Sequence, residues 1–304
     1  YYNFGWICIS NQKNEESITH FLRALKIYQS LDLTAPEGLC YYNLGLAYIR
    51  LGDIRNSFKM NYKALAIIEE ENKPELLMKV YNNLATDYYH IEDYQKALEF
   101  YLKTKRIAEN IGDSLYLMIV LNNIGIIYIG NNQSKKALRY FTKAIEFADA
   151  LRYYDRKGLY LLNRGIALNN TGEYMPAKEV FTETLGIFQD IQDYENISSV
   201  YLNLADMENK DKHQKDSLLI LSYYYAKKGN DSLQITNVET NMANLYYSKK
   251  SYKKAELFLY NTISFYKSQK MYRKLVDNYK LLNNIYAKQE IGRASCRERV
   301  CHRV

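Results

Sequence analysis

One column of residues recurs along this chain at a nearly fixed interval, and the interval leaves few folds open. Aligned on itself, the chain stacks Phe4, Leu44, Leu84, Ile124, Arg164, Leu204, Met242 and Leu282, with every step 40 residues except one of 38. The next residue is Gly5, Gly45, Ala85, Gly125, Gly165, Ala205 or Ala243, small in all seven full units. Thirteen residues after each anchor stand Ser17, Ser57, Ala97, Ala137, Ala177, Ser217 and Ala255, again small, while Tyr48, Tyr88, Tyr128 and Tyr246 follow theirs by four. Only 3 of the 304 residues are proline, and apolar residues fall at helical spacing, so the class is all-α. So long a helical chain exceeds one globular core, and a repeat answers that by stacking. Antiparallel helices approach to about 8–10 Å only where small residues admit the neighbour's bulk.

The spacing resembles the tetratricopeptide repeat. Its pattern of bulky, small, Tyr, then Ala, Phe and Ala reads in LNNIGIIYIGNNQSKKALRYFTKAI as Ile124, Gly125, Tyr128, Ala137, Phe141 and Ala144, and YNNLATDYYHIEDYQKALEFYLKT repeats it. The leading Trp of the family is missing, the period exceeds the usual 34, and Thr104, Thr184, Tyr224 and Thr262 replace the last Ala. The resemblance covers residues 1–289 and implies an α-solenoid, a right-handed superhelix of antiparallel helix pairs: seven repeats and a truncated eighth. The extra residues are expected at the end of each second helix and the start of the next first helix, around NIGDS at 110–114. Gly52 and Gly172 suit the left-handed position after a helix. The sixth unit is degenerate, with Glu208 in place of a Tyr and a charged run, ENKDKHQKD, at 208–216 that reads as a solvated turn or a bend.

An asparagine precedes the anchor in each of the seven full units: Asn3, Asn43, Asn83, Asn123, Asn163, Asn203 and Asn241. That position is rotated by about 100° from the anchor, out of the helix-pair core. In the superhelix that the resemblance implies it faces the concave groove, half wet. Stacked units repeat at about 10 Å and an extended strand advances about 3.3 Å per residue, so successive amides meet every third residue of a bound peptide. A carboxamide both donates and accepts, and so grips a backbone without reading side chains. The row is similar to the asparagine ladders of kinesin light chain and of the O-linked GlcNAc transferase superhelix, and to the groove of bacterial peptide-pheromone receptors. Specificity is then expected from Asn82, Asn122, Ile126, Tyr89, Ile129, Asn169 and Asn209. A second reading stays open: the asparagines satisfy a neighbouring helix or bridge units by side-chain hydrogen bonds. Only Arg50, Lys79, Arg164 and Lys210 approach the pattern of a carboxylate clamp, which ranks that mode lower.

Residues 291–300, IGRASCRERV, match the translation of a common sequencing adapter, so residues 290–304 are expected to be an artefact tail. The net charge of +7 falls to +4 without the four arginines and one glutamate of 291–304, too little for a nucleic-acid footprint. Cys8 and Cys40 then remain, with no metal spacing. His20, His90 and His213 lie in different units, and neither a phosphate loop nor a nucleophile motif occurs. No apolar run is long enough to span a membrane. We expect a protein- or peptide-binding scaffold with no catalysis, no cofactor and no metal. KALEFYLKTKRIAENIGD and VLNNIGIIY also resemble the sensory repeats of bacterial regulators, which implies an alternative: the sensor part of a histidine kinase or helix-turn-helix protein whose output domain lies beyond residue 289.

Overall fold

The structure, a computed structural model, describes residues 1–11, 13–208, 212–269 and 271–301, with Lys212, Arg273 and residues 290–301 described by backbone alone. Among these residues there are fifteen helices and no strand: α1 Tyr2–Ser10, α2 Asn14–Ser30, α3 Thr34–Arg50, α4 Ile54–Glu70, α5 Pro74–His90, α6 Tyr94–Ile111, α7 Ser114–Gly130, α8 Ser134–Ala150, α9 Tyr154–Asn170, α10 Tyr174–Asp190, α11 Tyr194–Met207, α12 Lys212–Gly229, α13 Ser232–Ser248, α14 Tyr252–Ser268 and α15 Tyr272–Cys301. They form two compact units, residues 1–172 and 173–304. In each unit a helix packs on the next one in sequence. First helices also touch across hairpins, α3 on α5 and α7 on α9 in one unit, α11 on α13 and α13 on α15 in the other. Each unit is therefore a stack of hairpins with its first helices drawn together into one layer.

The period has a plain structural origin. α3 and α4 are 17 residues each, as are most of the helices, and three-residue turns separate them. Two such helices and two such turns make up 40 residues. Within a hairpin the anchor, small, Tyr, Ala, Phe and Ala positions keep the family spacing, so the surplus over a 34-residue repeat falls between Ala144 and Arg164 and their equivalents, in the last turns of one second helix and the first turns of the next first helix, as expected. Each turn whose residues are all described holds a left-handed residue, and from Asp32 these fall 20 apart at Gly52, Asn72, Glu92, Gly112, Asn132, Arg152, Gly172 and Gln192. Gly52 and Gly172 take the conformation expected of them, with φ of 77° and 82°. The following residue often caps the next helix: Asp53, Asp93, Asp113 and Asp193 each accept from the backbone N–H three residues on.

The small column is buried in all seven units. A Cβ on Gly125 would sit 2.5 Å from the Phe141 ring, and one on Gly5 would meet Phe21, so the glycines are the recesses that receive the second helix's bulk. The tyrosine four after the anchor lies on an aromatic of its own hairpin: Tyr88 on Phe100, Tyr128 on Tyr140, Tyr246 on Phe258, with centroids 5.3–5.8 Å apart. These three tyrosines thus go into hairpin packing.

The sixth unit departs from its expected register. Ser217 is exposed, and Tyr224 lies 56% exposed instead of filling the last small position. The buried residues of α12 are Leu219, Ser222 and Ala226, where the repeat carries Phe141, Ala144 and Ala148. The pattern has moved up by two residues, so the two missing from the 38-residue step were lost between α11 and α12. α11 ends early, at Met207. Asn209 and Lys210, and part of the charged run, lie outside the described residues.

Candidate peptide-binding groove

The asparagine row follows the line where first helices meet, and in the unit of residues 1–172 it stitches them together. Asn43 Nδ2 donates to the Tyr2 hydroxyl at 2.8 Å, Asn123 Nδ2 to Asn82 Oδ1 at 3.4 Å, and Asn163 Nδ2 to Asn122 Oδ1 at 2.9 Å. Each bond runs to the residue 41 positions earlier. Asn122 Nδ2 also donates to Asn123 Oδ1 at 3.4 Å, which makes Asn163, Asn122, Asn123 and Asn82 one chain across α9, α7 and α5. Asn83 breaks the rule and donates inward to Asn61 Oδ1 at 3.3 Å. The cause lies beneath the amide. Phe21 and Phe141 hold the place that Asn61 holds here, and a phenyl ring offers no acceptor of comparable strength.

The expected half-wet position is therefore found at Asn123, Asn163, Asn203 and Asn241, and not at Asn43 or Asn83. Asn43 is fully buried and Asn83 nearly so; both have sunk toward a partner at a hairpin seam. Asn3, near the chain start, is exposed, Asn122 is almost buried, and Asn82, Ile129 and Asn169 are half-buried. Asn203 and Asn241 bond the backbone one turn back in their own helices, to Ser199 and Asn237.

Three of the expected groove residues gather around one hollow of about 200 Å³: Tyr89, Asn123 and Ile126, joined by Thr86, His90, Tyr101 and Ile127. α5 and α7 form its walls, and α6 contributes Tyr101. The Thr86 and Tyr101 hydroxyls are 3.0 Å apart. Burial pushes the Tyr101 phenol up to about 12, raises that of Tyr89, and lowers the His90 imidazole below its usual value. At neutral pH the hollow is accordingly uncharged, an aliphatic and aromatic recess with hydroxyl and amide groups among its lining.

A second hollow, of about 340 Å³, lies in the other unit around Asn241, with Asn237, Thr240, Tyr266, Lys274 and Asn278 among its lining. Lys274 Nζ donates to Asn237 Oδ1 at 2.8 Å. Lys274 and Tyr101 were not among the expected groove residues. Tyr101 was legible, because it stands in the Phe141 column yet carries a hydroxyl. Among the described residues no group of three His, Cys, Asp or Glu side chains could hold a metal ion, and no helix is long and apolar enough to cross a membrane. Cys8 and Cys40 are buried and unpaired with each other, and burial pushes the Cys40 thiol up to about 12.

Family models described as tetratricopeptide repeat match residues 76–150, and residues 1–30 and 40–70. No curated protein sequence matches the chain. Among solved structures, the apo form of RapI is similar at a TM-score of 0.73 and 15% identity, over 93% of this chain and 98% of that one. The apo form of the quorum sensor NprR from B. thuringiensis is similar at 0.72 and 16%, over 91% and 75%. A Rap protein complexed with Competence and Sporulation Factor is similar at 0.70 and 13%, over 95% and 85%. At such identities the likeness is one of fold.

Proposed function

We propose that this tetratricopeptide-repeat protein is a binding scaffold that takes an extended peptide along its first-helix face, with the amide row on the peptide backbone and the hollow beside Asn123 receiving an apolar side chain. The observation that carries the reading is the meeting of Tyr89, Asn123 and Ile126 around an uncharged recess next to half-buried amides. Amides already aligned by bonds to one another meet a ligand with less ordering cost. The Asn43, Asn83, Asn123, Asn163, Asn203 and Asn241 row then divides by burial: Asn123 and Asn163 meet the peptide, and Asn43 and Asn83 hold hairpins together. The array acts in recognition and not in catalysis, and residues 1–289 form the functional array, with 290–304 outside it.

The test is to pan random dodecapeptides against the full chain and measure the enriched sequences by calorimetry. Ile126→Asp should weaken binding at least tenfold while the helical melt stays in place. Equal affinity for the variant would move the site elsewhere. A second reading makes the array the sensory part of a signalling protein, and the fold-level likeness to a quorum sensor of which this chain covers 75% favours it. The natural coding sequence downstream of Gln289 decides that reading: a kinase or helix-turn-helix segment supports it, and a stop codon removes it.

A further inference from the structure

The seam between α4 and α5 is polar where its counterparts are apolar. Ser57 and Asn61 of α4 and Asp87 of α5 are all fully buried. Forty residues on, the same three places hold Ala97, Tyr101 and Ile127, and eighty residues on, Ala137, Phe141 and Ala167, each set within an apolar cluster. Ser57 Oγ lies 2.6 Å from Asp87 Oδ1 and 3.0 Å from the Gly45 carbonyl oxygen. Asn61 Nδ2 lies 2.7 Å from Asp87 Oδ2 and 3.2 Å from Ser57 Oγ, and its Oδ1 accepts from Asn83.

Counting protons decides the state of this cluster. A hydroxyl has one proton, a carbonyl oxygen only accepts, and an ionised carboxylate only accepts. With Asp87 ionised, Ser57 faces two acceptors with a single hydrogen, so one of the two approaches sets lone pair against lone pair in a dry site. With Asp87 protonated, its hydroxyl donates to Ser57 Oγ, Ser57 donates to the Gly45 carbonyl, and the two amide hydrogens of Asn61 go to Ser57 Oγ and Asp87 Oδ2. All of these contacts are then satisfied at once.

We propose that Asp87 is held as the neutral acid in the folded protein in mildly acidic solution, and that its ionisation toward neutral pH loosens the α4–α5 seam, which makes this junction a proton-controlled weak point of the stack. Burial pushes the Asp87 carboxyl up to about 6, against the opposing pull of the Ser57 and Asn61 hydrogen bonds. The titratable groups that face it are phenols, Tyr62 from α4 and Tyr101 from α6. From α3 it is met through the Gly45 carbonyl by way of Ser57, and no described Lys, Arg or His pairs with it. Because the folded value lies above the ordinary carboxylate value of about 3.9, the folded state binds the extra proton. Stability is therefore fully present below about pH 4, falls as pH rises through about 6, and is level above that. A shift of about two units corresponds to up to a hundredfold change in the opening equilibrium of this seam.

Stacked repeats do not unfold as one unit, so the readout is local. Hydrogen exchange of the full chain, corrected for intrinsic rates, should show protection across 57–64 and 81–90 falling by up to about twenty-five-fold between pH 4.5 and 7.5. The isosteric neutral variant Asp87→Asn should hold it level. In a sample labelled at aspartate Cγ, one carboxyl resonance should titrate near pH 6 and vanish in that variant. Where Asp87→Asn does not fold, the triple variant Ser57→Ala, Asn61→Phe, Asp87→Ala, which installs the α8–α9 residues, serves as the level reference. An Asp87 resonance that titrates below about 4.5, or a wild-type protection profile that stays level with pH, overturns the proposal.

Discussion

The α4–α5 seam and the α8–α9 seam share one backbone plan and differ in three side chains. At the second, Phe141 fills the recess above Gly125 between Ala137 and Ala167, and the amide above it, Asn163, reaches across to Asn122. At the first, Asn61 takes the place of the ring, Asp87 joins it, and Asn83 turns inward. The lesson is that the residue seventeen after one anchor can redirect the next unit's asparagine: above the Phe141 ring Asn163 runs along the groove, and above the Asn61 amide Asn83 is drawn into the seam. Of the two readings that the sequence left open, side-chain hydrogen bonds bridging units are seen at Asn43, Asn83, Asn123 and Asn163, and the peptide contact stays the proposal for the half-buried Asn123 and Asn163.

The largest blow to this contrast should be Phe141→Ala. It empties a fully buried site and should cost about 3–5 kcal/mol, read as a lowered denaturant midpoint and as lost exchange protection in α8 and α9. Next comes Asn61→Ala, which removes an amide from a buried carboxyl and from Asn83. About 1.5–3 kcal/mol is expected where Asp87 is ionised, so the loss measured at pH 8 should exceed that at pH 5. Equal losses at both would mean that the carboxyl does not change state. The smallest effect belongs to Asn122→Ala, which breaks the bond from Asn163 and the long one to Asn123, both half-buried amides that water can serve instead. No more than about 1 kcal/mol is expected, with the thermal midpoint hardly moved.

Much of the fold was written in the small column. A repeated Gly or Ala beside a repeated bulky residue can only mean close helix pairs, and all seven of those residues are buried. The left-handed turn residue was less visible. Glycine marks it at Gly52, Gly112 and Gly172, while Glu92, Arg152 and Gln192 hold the same conformation without announcing it. The register of α12 was misread because Ser217 is small and Ser222 is too, and only burial separates them. Of the candidate groove, the sequence places the amides on the right helix line, but it cannot show that one asparagine bonds a residue 41 positions back. Asp87 went unseen for a related reason: a lone carboxylate in a helix reads as solvent-facing until a serine and an asparagine from the preceding helix close over it.

The claim that matters most is that the exposed part of the amide row is where a peptide lies. Side-chain amide spectra of the full chain, recorded as a panned peptide is added, address it directly. The account predicts shifts at Asn123 and Asn163, together with the Tyr89 ring, and still signals at the sealed Asn43. Saturable binding that leaves the Asn123 and Asn163 amides unmoved would contradict it.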